Sequence, residues 1–262
     1  MKKRVISAII ALIIVLPLII AGGVWFKIGV YIIGLLGLYE MINVISKDKK
    51  IPMVVRLLSM IVYILLIDRI SANNTFDIPF VWFILPVIVT LVPALFYKSD
   101  KYNIVSGLML FGSIYLLGIG FGGLVFIRNI SVNYFMYLII NTIMCDTFAH
   151  FFGTQIGKYK LCPSISPNKT IEGFIGGVVF ATFISSAYFT TFNSQMCLLS
   201  VILISFVISL FAVCGDLIFS LIKRCFGVKD YGHIMPGHGG VLDRVDSVLI
   251  AGLALLIIVY IL

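Results

Sequence analysis

The chain has 262 residues, of which 61% are hydrophobic and only 11% are charged, and its mean hydropathy is +1.16. A typical soluble domain has roughly 25% charged residues. A soluble fold is therefore excluded, and the composition predicts an all-α integral membrane protein that crosses the bilayer many times. The formal net charge of +8 does not indicate a nucleic-acid-binding protein, because Lys and Arg are scattered over loop ends instead of forming one basic face.

Apolar runs near the ~20 residues needed to cross a bilayer recur along the whole sequence. We predict one membrane domain (1–262), with N-terminal spans in 1–130 and catalytic spans and loops in 131–262. The basic start and first apolar run would also fit a signal peptide, but the length of the run favours an uncleaved helix. We predict nine spans: Val5–Gly23, Val24–Ser46, Val54–Ile67, Pro79–Tyr97, Ile104–Ile127, Tyr134–Phe152, Gly173–Phe192, Cys197–Ile222 and Ser247–Leu262.

The distribution of Lys and Arg predicts how these spans are oriented. With the N-terminus in the cytoplasm, 16 of the 19 basic residues fall on the cytoplasmic side. This asymmetry follows the positive-inside rule. Both long polar loops, Gly157–Thr170 and Lys223–Asp246, are then cytoplasmic, and the C-terminus lies outside.

Two glycine clusters, Gly118–Gly123 and Gly173–Gly177, have two alternative explanations. Glycine-rich segments bind dinucleotides when they follow a β-strand, and we expect no strand before either cluster. Small residues in membrane helices allow neighbouring helices to approach closely. We therefore predict that both clusters serve helix packing.

The densest polar segment is Ser220–Asp246, which holds three of the 11 acids and four of the 19 basic residues. Because charge is costly inside a membrane, such a cluster is typical of a functional site. Asp216, Ser220 and Lys223 have i, i+4, i+7 spacing, which places them on one stripe of a predicted helix. Asp216 follows an apolar run and requires a charged partner such as Lys223, a metal ion or water.

Asp243 and Asp246 have i, i+3 spacing at the start of the last span, so both carboxylates lie on one face of a helix N-terminus. A simple N-cap is the alternative role for Asp243. Together with Asp216 they form a candidate set of oxygen ligands for Mg²⁺, which prefers carboxylates combined with substrate phosphates.

The segment Lys229–Gly240 is a glycine-rich turn before Asp243, and it is expected to expose backbone N–H groups that a phosphate can approach. Within it, His238 is either a group that exchanges a proton with a phosphate or a solvated loop residue. The basic residues flanking the turn are candidates for binding a polyphosphate: Lys223, Arg224, Lys229 and Arg244.

The loop before the seventh span holds a second group of candidate anion-binding residues. Ser166, Lys169 and Thr170 stand just before a predicted helix, whose free N–H groups and dipole attract anions. Glu172 falls in the first turn of that helix, where capping is the alternative role. Asp146, inside the preceding span, is another acid that requires a partner.

The pattern Ser220-x-x-Lys223-Arg224, then Lys229-Asp230, then Pro236-x-His238-Gly239-Gly240-x-x-Asp243-Arg244-x-Asp246 resembles the signature of phosphatidate cytidylyltransferases, also called CDP-diacylglycerol synthases. The upstream Ser166-Pro167-x-Lys169-Thr170-x-Glu172-Gly173 and Asp146 resemble the second motif of that family. The specific resemblance covers Asp146–Asp246. The N-terminal half is similar mainly in hydrophobicity and in the number of spans.

The resemblance implies condensation of CTP with phosphatidate, giving CDP-diacylglycerol and pyrophosphate for phospholipid synthesis. It also implies a Mg²⁺ requirement, K⁺ as a suggested second cation, a homodimer in a bacterial plasma membrane, and a polar cavity open to the cytoplasm. Asp216, Asp243 and Asp246 would hold the metal ion, and Lys223 and His238 are predicted to act with them in catalysis. The predicted substrate-binding residues are Ser166, Lys169, Thr170, Ser220, Arg224, Lys229, Asp230 and Arg244, with Asp146 and Glu172 in supporting roles.

Three other functions remain open at this point. A relative that transfers CMP to an ether-linked or unusual lipid phosphate would share these motifs. A CDP-alcohol phosphotransferase also uses clustered Asp residues, but its D-G-x-x-A-R pattern is absent from the sequence. A transporter or channel would use Asp146 and Asp216 as an ion path, but the sequence lacks the two related halves typical of such proteins.

Overall fold

The computed structural model describes residues 13–47, 51–72, 81–97, 102–193, 196–232, 234 and 239–261, without the side chains of residues 83 and 261. Residues 13–21 are helical, and the rest of the described chain contains nine further helices and one hairpin. The helices are α1 (Gly23–Ile45), α2 (Met53–Ala72), α3 (Val81–Leu91), α4 (Pro93–Phe96), α5 (Ile104–Ile130), α6 (Val132–Gln155), α7 (Ile171–Phe192), α8 (Leu198–Cys225) and α9 (Leu242–Ile261). The hairpin strands are β1 (Lys160–Cys162) and β2 (Ser166–Thr170).

Among the described helices, α1, α5, α6, α7 and α8 are long and apolar enough to cross a membrane. The protein is therefore an all-α polytopic membrane protein, as predicted. Helices α2 and α9 coincide with two further predicted spans but each carries three charged residues, near both ends of α2 and near the start of α9. The first predicted span lies partly outside the described residues, so its full extent stays a prediction.

The first and second spans are separated at a glycine pair, as the sequence predicts. Gly22 and Gly23 have φ angles of 65° and 50°, in the left-handed region that favours glycine. The Arg128 guanidinium donates hydrogen bonds to the carbonyls of Ile19 at 2.7 Å and Ile20 at 3.1 Å. A cation at the C-terminal end of a helix satisfies free carbonyls and interacts favourably with the helix dipole.

Several spans differ from their predicted limits by a few residues, with α9 starting at Leu242 instead of Ser247, and two of the differences have identifiable reasons. Helix α2 continues past Ile67 because the carboxylate of Asp68 contacts Lys27 Nζ at 2.5 Å and accepts a hydrogen bond from the Tyr31 hydroxyl at 2.8 Å. This pairing stabilises an acid in an otherwise apolar helix. The fourth span is divided into α3 and α4, because Pro93 has no N–H group to continue the helix.

The described residues form two compact units. The first contains the residues up to Asn129 together with Phe226–Arg244, and the second contains Ile130–Cys225 and the residues from Val245 onwards. In the first unit, α5 lies close to α2 at Gly118, where a Cβ atom would lie 2.6 Å from the Leu66 side chain. The prediction that this glycine cluster serves helix packing is therefore confirmed.

In the second unit, a buried polar network joins α6, α7 and α8. The Asn141 amide donates to Ser185 Oγ at 2.9 Å and to the Ser205 carbonyl at 3.1 Å, and it accepts from Ser209 Oγ at 3.1 Å. All four residues are fully buried. Hydrogen bonds of this kind are a common source of helix association in membranes, and here they fix the three helices that carry most of the candidate site.

The second glycine cluster packs α7 against α6. A Cβ atom at Gly173 would lie 2.5 Å from the Ala149 carbonyl oxygen, and one at Gly177 would lie 2.7 Å from the Cys145 carbonyl oxygen. The expectation that no strand precedes this cluster was wrong, because β2 ends immediately before α7. The glycines nevertheless face another helix, so their packing role is confirmed.

Candidate active site

The hairpin between α6 and α7 forms the first wall of the candidate site. Its strands are antiparallel, with Lys160 opposite Thr170 and Cys162 opposite Ser166. The sequence predicted only a loop here, because both strands are short and polar and Pro163 lies in the turn between them. The hairpin holds Ser166 half-buried and Thr170 buried at the start of α7.

Two predicted site residues stabilise the junction between the hairpin and α7. Thr170 is the N-cap of α7, and its Oγ1 accepts a hydrogen bond from the Gly173 N–H at 3.1 Å. Both Glu172 oxygens accept from the Tyr159 N–H, at 3.2 and 3.3 Å. The Thr170 bond caps the N-terminus of α7, whereas the Glu172 bonds join the first turn of α7 to the residue just before β1.

Asp216 is held by two partners in the second unit. The Lys169 ammonium on β2 lies 2.5 Å from Asp216 Oδ2, and the Ser220 hydroxyl donates to Oδ1 at 3.3 Å. The predicted stripe of Asp216, Ser220 and Lys223 lies on α8 as expected. The cation in contact with Asp216 is Lys169, so the two motifs predicted separately from the sequence meet at this ion pair.

Three acids from three helices interact in the second unit. Asp146 lies on α6 and Asp246 on α9. The negative charge of Asp216 on α8 acts on both carboxyl groups. Asp246 is 8% exposed and its Oδ1 accepts from the Ser247 N–H at 2.8 Å, while the Ser247 hydroxyl bonds to Asp146. Helices α8 and α9 approach closely at Gly215, where a Cβ atom would lie 2.8 Å from the Asp246 carbonyl oxygen.

Two lysines partly balance these three carboxylates. Lys169 interacts with the charges of Asp146 and Asp216, and the buried Lys223 interacts with that of Asp246. We call these five residues the carboxylate–lysine cluster. Asp146 was predicted only in a supporting role, but it belongs to the cluster.

A cavity of ≈ 500 Å³ lies beside the cluster, and Asp146, Lys169 and Asp216 line it. Many protein atoms lie around the Asp146 carboxyl group, yet part of its surface remains exposed because it faces the cavity. Other residues in the wall are Ala149, His150, Gly153, Thr154, Leu161, Asn168, Thr170, Gly173, Phe174 and Val213. A lining that contains both charged and apolar side chains suits a ligand that is charged at one end.

Asp243 lies in the first unit, where its carboxylate bonds to two described residues of the glycine-rich turn. Its Oδ2 accepts hydrogen bonds from the Tyr231 N–H at 3.0 Å and the Gly240 N–H at 2.9 Å. Gly239 has a φ angle of 87°, so this turn requires glycine. The bond from Gly240 resembles the N-cap alternative, although Asp243 lies inside α9, which begins at Leu242.

The remaining predicted site residues that the structure describes are not among those that line the cavity. Arg224 Nε donates to the Ile165 carbonyl at 3.1 Å and so connects the end of α8 to the hairpin. Lys229, Asp230 and Arg244 are exposed. His238 lies outside the described residues, and its role stays a prediction.

The donor chemistry of the cluster fits Mg²⁺. Mg²⁺ is usually bound by one or two carboxylates, with substrate phosphates and water completing its coordination. Among the residues that the structure describes, no three His, Cys, Asp or Glu side chains have the spacing of a preformed metal centre. Asp146, Asp216 and Asp246 interact through their charges, and carboxylate oxygens are the protein ligands that Mg²⁺ takes together with substrate phosphates.

Comparison with known proteins identifies the family. The family model described as "Cytidylyltransferase family" matches residues 2–262. The chain belongs to the cytidylyltransferase family. Relatives of this cytidylyltransferase include the phosphatidate cytidylyltransferase of Staphylococcus haemolyticus (strain JCSC1435), at 36% identity over 94% of both chains. The proteins of the same name from Staphylococcus saprophyticus and Staphylococcus aureus (strain COL) are each 35% identical over 94% of both chains.

Membership of the cytidylyltransferase family supports the predicted resemblance over the transporter alternative. Sequence reasoning missed two kinds of residue in this cytidylyltransferase. Asn168 on β2 and Phe174 on α7 line the cavity, and neither carries a charge that singles it out in the sequence. Glu40 contacts the glycine-rich turn from a distant helix, and no local pattern in the sequence indicates this contact.

Proposed function

We propose that this cytidylyltransferase condenses CTP with phosphatidate to form CDP-diacylglycerol and pyrophosphate, in the synthesis of membrane phospholipids. The observation that carries the proposal is the carboxylate–lysine cluster beside a cavity, in a chain whose curated relatives are named phosphatidate cytidylyltransferases. Acids that bind a metal ion and lysines that bind phosphates are the groups that transfer of a nucleotidyl group requires.

In the proposed reaction, a phosphate oxygen of phosphatidate attacks the α-phosphorus of CTP. A new phosphorus–oxygen bond joins the two substrates, and the bond from the α-phosphorus to the bridging oxygen breaks. Pyrophosphate leaves with the electron pair of that bond. Because the attacking phosphate is already anionic, the reaction does not require a strong general base. Its rate then depends on positioning and on neutralisation of charge.

We assign the metal ion to Asp216, Asp243 and Asp246, with Asp146 in support. When bound, Mg²⁺ would neutralise negative charge on the triphosphate and on the leaving pyrophosphate. Asp216 and Asp246 interact with Asp146 in the second unit, which supports their part of this assignment. The assignment of Asp243 rests on the sequence motif, as does K⁺ as a suggested second cation.

The basic residues are assigned to substrate phosphates. Lys169 contacts the carboxylate that we assign to the metal ion. Because a cation at Asp216 would compete with this ammonium group, we propose that Lys169 turns to a substrate phosphate when Mg²⁺ binds. The other proposed substrate-binding residues are Ser166, Thr170, Ser220, Lys223, Arg224, Lys229, Asp230 and Arg244, and His238 is proposed to exchange a proton with a phosphate.

We place the enzyme in a bacterial plasma membrane as a homodimer. The N-terminus and both polar loops are proposed to be cytoplasmic, where CTP is available, and the C-terminus to be outside. The distribution of basic residues supports this orientation. The homodimer rests on the family resemblance alone.

Release of pyrophosphate by the detergent-purified protein tests the proposed function. We expect release only when CTP, phosphatidate and Mg²⁺ are all present, and none when EDTA is added in excess. Release from CTP without any lipid phosphate would contradict the proposal. A preference for an ether-linked lipid phosphate over phosphatidate would instead support the close relative that the sequence leaves open.

A further inference from the structure

Glu40 is a buried acid that no sequence motif includes. It lies on α1 near the end of that helix and is 2% exposed. An ionised carboxylate inside an apolar helix is costly unless it is hydrogen-bonded. Glu40 is therefore expected to have a specific partner, and the structure identifies that partner in the first unit.

Both oxygens of Glu40 bind the start of α9. Oε1 accepts a hydrogen bond from the Val241 N–H at 2.9 Å, and Oε2 accepts from the Leu242 N–H at 3.0 Å. Leu242 is the first residue of α9, so the carboxylate satisfies a free N–H group at a helix N-terminus. Hydrogen bonds to an ionised acceptor are stronger than neutral ones, and the helix dipole adds to the attraction.

Two glycines of the turn lie directly against the same carboxylate. A Cβ atom at Gly232 would lie 2.5 Å from Glu40 Oε1, and one at Gly240 would lie 2.6 Å from Oε2. Any side chain at either position would collide with Glu40 or displace it. Glycine at these two positions is therefore explained by the contact with Glu40 as well as by the predicted approach of a phosphate.

Glu40 and Asp243 share a neighbour, Gly240. The Gly240 N–H donates to Asp243 Oδ2 at 2.9 Å, and Gly240 also lies against Glu40. The same helix holds the other end of the segment, because Lys47, just after α1, donates to the carbonyls of Phe226 at 3.4 Å and Gly227 at 3.1 Å. The end of α1 therefore contacts both ends of the segment before α9.

We propose that Glu40 is a positioning residue for catalysis. It holds Gly232, Gly240 and the first residues of α9 in place, and thereby sets the direction in which Asp243 presents its carboxylate. Glu40 itself contacts neither substrate nor metal ion in this proposal. The inference rests on the proposed function, because it assigns Asp243 to the binding of Mg²⁺ and CTP.

The substitution Glu40→Gln tests this role in the full-length enzyme. The amide has the same shape, but its NH₂ group faces an N–H donor, so one of the two bonds is lost. A displacement of about 1 Å at a reacting group can cost on the order of 10²-fold in rate. We expect a loss of that order in kcat and a higher Mg²⁺ concentration for half-maximal activity. The matched control is Asp68→Asn, which removes a carboxylate in contact with Lys27 and Tyr31.

A purely structural role for Glu40 gives a different result. It would lower the thermal unfolding temperature while leaving kcat, the KM values and the Mg²⁺ dependence of the folded enzyme unchanged, and this outcome would overturn the inference. If Glu40→Gln does not yield folded enzyme, Gly232→Ala serves instead, because its methyl group displaces the carboxylate without removing it. A wild-type Mg²⁺ dependence in folded Gly232→Ala would also overturn the inference.

A double-mutant cycle tests the contact itself. Gly232→Ala should impair the wild-type enzyme but have little further effect once Glu40→Ala has removed the side chain that it meets. Fully additive losses would contradict the proposed contact. Absence of any pyrophosphate release by the wild-type enzyme would contradict the proposed function itself. Wild-type turnover that Glu40→Gln leaves unchanged would contradict the positioning role alone.

Discussion

Asp216 connects the two polar motifs of the second unit through its contacts with Lys169 and Ser220. The side chains of Lys169 and Asp216 are 25% and 29% exposed. Partly exposed ion pairs usually contribute little to stability, on the order of 1 kcal/mol or less. We therefore expect this pair to contribute to function more than to stability, because it places charged groups beside the cavity where a metal ion and phosphates are proposed to bind.

We predict that Asp216→Asn and Asp243→Asn each reduce turnover by on the order of 10²-fold or more, while the protein still inserts and purifies. Loss of an electrostatic contact made in the transition state typically has an effect of this size. Pyrophosphate release across a Mg²⁺ titration measures it, with Asp68→Asn as the control outside the proposed site. Near-normal rates in either variant would mean that the acid only stabilises its helix or turn.

Lys169→Ala should lose activity through binding or placement of a substrate. The physical reason is that an ammonium group contacting Asp216 also lies at the cavity wall, within reach of an anion. Separate KM measurements for CTP and phosphatidate check this prediction. Lys160→Ala is the matched control, since Lys160 lies on the neighbouring strand and is exposed. If KM and kcat were unchanged in Lys169→Ala, Lys169 on β2 would have a structural role and would not bind a substrate.

At the scale of helices and strands, hydropathy alone predicts most of what the structure contains. It fails where a tertiary contact changes a local preference. Helix α2 runs past its predicted end because Asp68 pairs with Lys27. The β1–β2 hairpin was predicted as a loop, because its short polar strands have neither the length nor the alternation that identifies a strand.

The close approach of α6 and α7 gives a prediction with an internal control. Gly177→Ala should destabilise the protein by about 1–3 kcal/mol, the usual range for overpacking. The added Cβ atom would lie 2.7 Å from the Cys145 carbonyl oxygen, and backbone cannot move as easily as a side chain. Gly112→Ala is the control, because nothing lies within 4 Å of its Cβ position.

Thermal unfolding of the two glycine variants in the same detergent provides the comparison. Gly112→Ala should unfold at or above the wild-type temperature, because Ala favours a helix more than Gly does. Equal stability of Gly177→Ala and Gly112→Ala would contradict the packing that the structure shows between α6 and α7.

For the whole molecule, the sequence predicted the family resemblance and the membrane class, but not the contacts that hold the candidate site. Glu40 and Val241 are separated by 201 positions, and their hydrogen bond leaves no trace in local spacing. Asp146 was recognised as an acid that needs a partner, but its interaction with Asp216 depends on the packing of α6 against α8. Periodicity describes single helices, so it cannot identify contacts between them.

The orientation of the whole molecule is tested by labelling single cysteines in a cysteine-free background. We expect that cysteines placed at Lys160 and Lys229 react with an impermeant thiol reagent only after the membrane is opened. Both positions are exposed, so the reagent can reach them. Labelling of either position from outside intact cells would overturn the proposed orientation.

In the proposed reaction, this chain transfers a cytidylyl group from CTP to a lipid phosphate. Incorporation of label from [α-³²P]CTP into chloroform-soluble lipid tests it most directly. We predict that labelled CDP-diacylglycerol forms with purified wild-type enzyme, phosphatidate and Mg²⁺, and that Asp216→Asn reduces its formation to near background. Label that stays in the aqueous phase with folded wild-type enzyme, at any Mg²⁺ concentration, would contradict the claim.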